Sequence, residues 1–223
     1  GDMEFAPVGR WPHCTDQRYR VWSMFLHQFV HAGFLHIVSN QLMATLYGCL
    51  IECYFGWLPT LVIFQTSLLG GTLGHTLFWS YRTLVGCSHG VYGMLGASVS
   101  MLILNYDSLD RAASISILII LTVQIISDAV YVVLWFNSMV AYEAHFFGFL
   151  NGLLVGLLVL RTPVRRVWKT YLSRSVVIAY SVFLMYITYH YAAYWPPRLL
   201  VNPDWSSFDY EPCCAELLAT GDA

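Results

Sequence analysis

Residues 86–96 read GCSHGVYGMLG. Glycine recurs at 86, 90, 93 and 96, with Ala97 and Ser100 continuing the row, a spacing that keeps small residues along one side of an α-helix. Another helix can approach such a side almost backbone to backbone. Ser88 heads the helix. After Gly86 it stands at an N-cap position, where a serine hydroxyl accepts hydrogen bonds from free backbone N–H groups. The same N-terminus, with its free N–H groups and positive dipole end, would stabilise an oxyanion formed on that serine. His89, the next residue, is turned by about 100° around the helix and is a poor base for Ser88.

A better base lies in AHFFGFLNGLLVG, residues 144–156. His145, Gly148, Gly152 and Gly156 fall at i, i+3, i+7 and i+11, a single stripe. If the two small-residue rows pack together, His145 comes within reach of Ser88, and an imidazole at hydrogen-bond distance activates a serine hydroxyl. Taken alone, each feature has a plainer explanation, helix capping for Ser88 and small-residue packing for 144–156. In HAGFLHIVSN, residues 31–40, His36 and Asn40 share one helix face. They could donate to an oxyanion or serve as interhelical hydrogen-bonding glue. Asp128, near the middle of an apolar stretch, is not assigned to a triad.

The surroundings are apolar. Of 223 residues, 57% are hydrophobic and 11% charged, the composition of a membrane protein. Stretches 57–79, 88–105, 113–136, 143–160 and 173–195 are long enough to cross a bilayer as helices, and 34–55 reads the same way despite Asn40 and Glu52. Arg161, Arg165, Arg166, Lys169 and Arg174 crowd the link after the fifth span, which marks it as cytosolic. Counting back, loop 106–112 is cytosolic too, and Ser88 and His145 sit at one depth toward the outside or a lumen. The net charge of −2 provides no basic field for nucleic acid. Cysteines 14, 49, 53, 87, 213 and 214 show no metal-ligand spacing, and nothing suggests a metal or cofactor.

Together, His31, His36 and Asn40, then GCSHGVYGMLG, then AHFFGFLNGLLVG, in that order on three helices, resemble the rhomboid family of intramembrane serine proteases from about Trp22 to Gly156. GCLIECYFG (48–56), YEAH (142–145) and the further helix look most like the animal secretase-type members, with six core helices plus one. The resemblance implies an all-α, polytopic transmembrane helix bundle with its first core helix missing, so that the chain is expected to be a truncated piece. Residues 1–33 would be an outer loop and interfacial segment, 34–160 a catalytic membrane core of five spans, 161–172 a basic cytosolic link, 173–195 an additional helix and 196–223 an extramembrane tail.

It further implies Ser88 as nucleophile and His145 as general base. His36, Asn40 and the Ser88 N–H would form the oxyanion hole, Tyr92 would pack on His145, and Gly86 and His31 would play supporting parts. His31, His36, Asn40 and Glu143 would suit a wet cavity open to the outer side. The implied substrates are single-pass transmembrane proteins, cut near the outer or lumenal face of the plasma membrane or of a secretory or endosomal membrane. Two positions depart from the family pattern: His89 replaces the last glycine of GxSG, and Trp22-Ser23 replaces Trp-Arg. His89 could narrow the cleft, retune activity or point into lipid or loop. The alternative is a catalytically inactive relative that binds transmembrane helices and directs their trafficking or degradation. A transporter or channel would need paired half-helix breaks or inverted halves, which the sequence lacks.

Overall fold

A computed structural model describes residues 21–78, 84–135, 140–164 and 166–193. All the regular elements among them are helical. A short helix α1 (Ser23–Leu26) runs into a 3-10 turn (His27–Phe29) and is followed by α2 (Phe34–Phe55), α3 (Trp57–Phe78), α4 (Ser88–Asn105), α5 (Arg111–Trp135), α6 (Tyr142–Val159) and α7 (Val167–Ala193). Helix ends follow local chemistry. Gly56, at φ +84°, closes α2 with its N–H on the Glu52 carbonyl at 2.8 Å, a left-handed turn suited to glycine. Pro59 then falls in the first turn of α3, where a missing N–H costs nothing. Asp110 begins α5, its Oδ1 accepting the N–H groups of Ala112 and Ala113 at 2.7 and 3.4 Å.

α4 is the central helix, packed most extensively on α6 and then on α3 and α2. Its contact with α6 is as close as the glycine rows predict. A methyl group on Gly152 would overlap the Gly93 carbonyl, one on Gly148 the His89 carbonyl, and one on Gly96 the Phe149 carbonyl. Ser100 Oγ also donates across the interface to Leu153 O at 2.6 Å.

Four of the described helices are long and apolar enough to cross a membrane: α2, α6, and the segments Arg111–Leu134 of α5 and Val167–Tyr189 of α7. The chain is an integral membrane protein. α3 and α4, expected as apolar spans, fall outside that group. Both carry a polar load, and Ser67, Thr72, His75, Thr76, His89, Ser98 and Ser100 are all essentially buried inside the bundle. A helix sheathed by other helices faces little lipid and tolerates polar groups that find protein partners. α5 and α7 show the opposite pattern, with Val133, Val123, Ile125, Ile178 and Met185 turned outward.

α7 begins at Val167, earlier than the span expected from 173, so Lys169 is helical. Although read as a loop cation, Lys169 is 5% exposed. Its ammonium donates to Leu104 O near the end of α4, to Thr162 Oγ1 at 3.0 Å and to Val164 O at 3.2 Å, a cation at the negative end of a helix dipole. Asp107 and Arg166 approach to 3.6 Å, so the α4–α5 and α6–α7 connections share one end of the bundle.

Candidate active site

Ser88 and His145 lie at the heads of α4 and α6, 57 residues apart in sequence, with Ser88 Oγ 2.7 Å from His145 Nε2. The glycine contact makes that approach possible, since side chains there would hold the helices apart. Both residues are half-buried. The expected cap is not formed. Ser88 is the first residue inside α4, Cys87 is the N-cap, and no side chain caps this end. The Ser88 hydroxyl is turned to the imidazole instead; the Gly90 and Val91 N–H groups donate to the Cys87 carbonyl at 3.0 and 3.2 Å, whereas those of Ser88 and His89 stand ahead of any acceptor within the helix. The Tyr92 ring, one turn on, lies over His145 with centroids 4.3 Å apart and planes 10° from parallel, which restricts the imidazole's rotation.

His36 and Asn40 stand one turn apart near the start of α2, beside the loop that leads to Ser88. Gly86, at φ +92°, turns this loop. A side chain there would be strained and would crowd His36 Nε2 at 3.1 Å and Asn40 Nδ2 at 3.4 Å. The Ala32 N–H donates to His36 Nδ1 at 3.1 Å. That bond makes Nδ1 the acceptor, so the neutral ring carries its hydrogen on Nε2, the atom that faces Gly86. Asn40 is 7% exposed, and its Nδ2 is buried without an acceptor. Two N–H donors thus converge beside the serine loop. His31 packs edge-on to His36 at 5.1 Å, and its Nε2 is 3.6 Å from Cys87 Sγ.

His89 points neither into lipid nor toward His145. It is fully buried, with its ring nearly parallel to that of His27 (7°, centroids 5.0 Å) and their Nε2 atoms 3.0 Å apart. Glu143 lies 2.8 Å from Nδ1 of the buried His75 on α3. Asp128 accepts a hydrogen bond from Gln124 at 2.8 Å, and Gln124 in turn accepts from the Tyr47 hydroxyl at 3.1 Å, so the α5 carboxyl belongs to a helix-to-helix polar contact. Sequence reasoning missed His27 and His75. The only signal for them was that a polar side chain inside a membrane bundle needs a partner.

A family profile described as Rhomboid domain matches residues 18–162. The chain belongs to the rhomboid family. Among its relatives, mouse Rhomboid-related protein 2 is 29% identical over 150 residues, which cover 65% of this chain and 50% of the mouse protein. RHOMBOID-like protein 5 of Arabidopsis thaliana is 32% identical over 145 residues, 64% of this chain and 45% of the relative. Human Inactive rhomboid protein 2 is 32% identical over 147 residues, 65% of this chain and 16% of that protein. The chain spans about half the length of the first relatives it matches.

Against the rhomboid pattern, the two departures meet in space. Ser23, where the family has arginine, is 2% exposed, and its carbonyl oxygen lies 2.8 Å from His27 Nδ1. His27 is in turn the partner of His89, which stands where rhomboids have glycine. Thr72 Oγ1 closes the group, 3.3 Å from His89 Nε2 and 3.4 Å from His27 Nε2.

Proposed function

We propose that the chain is an intramembrane serine endopeptidase that cleaves transmembrane proteins near the outer or lumenal face of its membrane. The observation that carries this reading is the 2.7 Å approach of Ser88 Oγ to His145 Nε2. With His145 Nε2 unprotonated, Ser88 Oγ attacks the scissile carbonyl carbon and its proton passes to Nε2. The carbonyl electron pair moves onto oxygen, where His36 Nε2–H, Asn40 Nδ2–H and the Ser88 N–H receive it. Collapse of the tetrahedral intermediate breaks the C–N bond, and His145 returns the proton to the leaving amine. Water, activated by the same imidazole, then hydrolyses the ester and restores Ser88. No third acid is required. Tyr92 holds the imidazole plane, while Gly86 and His31 shape the serine loop. The partners are the lipid bilayer and single-pass transmembrane substrates, in the plasma membrane or a secretory or endosomal membrane.

The inward direction of His89 supports this reading, because its bulk is taken up against His27 and Thr72 rather than at the dyad. The test is fluorophosphonate labelling of the detergent-solubilised protein. Wild type should label, and Ser88→Ala and His145→Ala should not. A folded wild type that resists the probe would transfer the assignment to a second reading, a non-catalytic binder of transmembrane helices. His89 in the glycine position and the 32% identity to a relative named inactive favour that alternative.

A further inference from the structure

His27 is bonded on both sides of Ser88. Its carbonyl accepts the Gly86 N–H at 3.1 Å, and its ring meets that of His89. Gly86 and His89 bracket the serine, so one residue of the segment before α2 supports both ends of the serine turn.

The direction of the ring-to-ring bond follows from its surroundings. His27 Nδ1 is 2.8 Å from Ser23 O, a carbonyl that can only accept, so Nδ1 carries the hydrogen. In the neutral ring Nε2 is then bare and accepts. The shared hydrogen therefore sits on His89 Nε2. Thr72 spends its own hydrogen on Leu68 O at 2.8 Å and presents a lone pair to the same His89 N–H. His89 Nδ1 is left bare, buried and without a partner, so this ring makes its one strong bond toward His27. A fully buried imidazole with a single directed bond is costly to retain unless the bond supports something.

We propose that His89 and His27 are positioning residues, which together hold the first turn of α4 so that Ser88 Oγ meets His145 Nε2. The inference rests on the protease reading above. Ser88 and His89 are successive residues of one helix, about 100° apart. The histidine pair thus braces the turn from a direction about a quarter turn round the helix from the one at which the His145 imidazole engages it. Where the rhomboid pattern has glycine, this chain has a hydrogen-bonded strut.

The experiment measures the second-order rate and its kinact and KI for fluorophosphonate inactivation of the full chain in detergent, alongside unfolding midpoints. His89→Leu keeps the bulk and removes the bond; it should lower kinact tenfold or more and leave KI within about threefold. His89→Gln places an amide N–H near the Nε2 position and should return kinact to within threefold of wild type. His27→Leu should match His89→Leu, and the double variant should be no slower than either, because one contact is lost in each case. A folded His89→Leu at the wild-type rate, or strictly multiplicative losses in the double variant, would overturn the inference. If the leucine variants do not fold, His89→Gln decides: a folded protein within threefold supports the strut, and a tenfold fall in kinact overturns it. A wild type that does not label removes the protease reading, a failure distinct from any of these.

Discussion

At the residue scale, the site depends on a few atoms with clear directions. His145 Nε2 has Ser88 Oγ as its partner, so Ser88→Ala or His145→Ala should lower cleavage of a transmembrane substrate by a factor of about 10⁴ or more while the unfolding midpoint stays near wild type. Asn40 Nδ2 is a buried donor without an acceptor. Removing it as Asn40→Ala should cost about 10²- to 10³-fold in kcat, with KM little changed, and an unchanged kcat would take Asn40 out of the oxyanion site. His27, outside the spans, supplies a pH dependence. Burial pushes its pKa down from 6.5 to about 4, against an opposing contribution from its bond to Ser23 and with a smaller lowering from His75. The groups around it are His89 on α4 and Thr72 and His75 on α3, with Glu143 beyond His75. In the unfolded chain this ring binds a proton near pH 6.5, whereas the folded chain resists it down to about 4. Its contribution is therefore present above pH 6.5 and is lost as the pH falls to 4, about 3 kcal/mol in all. Unfolding in detergent across that window should show a shallower pH slope for His27→Gln than for wild type; equal slopes would remove the assignment.

At the element scale, the α4–α6 contact does the assembling. Gly96, Gly148 and Gly152 lie where a methyl group would strike the opposite helix, so Gly152→Ala must push the two helices apart. The expected cost is about 1–3 kcal/mol, accompanied by loss of fluorophosphonate labelling, since Ser88 and His145 sit at the head of this same interface. A folded Gly152→Ala with wild-type labelling would show that the close approach is not what positions the dyad. These glycine stripes could be read directly from the sequence because helical periodicity is local. Whether Ser88 capped its helix was not legible. That depends on where the helix starts and on what else the hydroxyl can bond, and the imidazole takes it. Lys169 teaches the same lesson. By composition it was one of a cluster of loop cations, but folding sets it under the end of α4. Lys169→Met should lower stability by about 2 kcal/mol or more, because it leaves buried carbonyl oxygens without a donor.

At the scale of the whole molecule, the bundle is layered from the inside out. α4 is wrapped by α6, α3 and α2, and α3 and α4 carry most of the buried polar residues, while α5 and α7 turn apolar side chains outward. Hydropathy alone therefore does not mark membership of the bundle: α3 and α4 fall outside the four described helices long and apolar enough to cross a membrane, yet they pack at its centre. The near approach of Asp107 to Arg166 puts two connections at one end, and from the Lys and Arg around them we propose that this end faces the cytosol. In a cysteine-free background, single cysteines at Asp107 and Arg166 should react with a membrane-impermeant maleimide only after the cytosolic side is opened, whereas one at Val140 should react in intact cells. Reaction of all three from the same side would contradict the arrangement.

Which segments are helices, their order, the glycine faces that meet and the serine, histidine and asparagine that gather at one end were all legible in the chain, because periodicity, hydropathy and motif spacing are properties of neighbouring residues. That His89 turns inward to His27, that His75 holds Glu143 and that Lys169 reaches Leu104 became visible with the packed helices. These pairs lie 62, 68 and 65 residues apart, and no local pattern specifies which buried polar group will satisfy which. Inside a membrane bundle each such group needs a partner, but packing of the helices selects it.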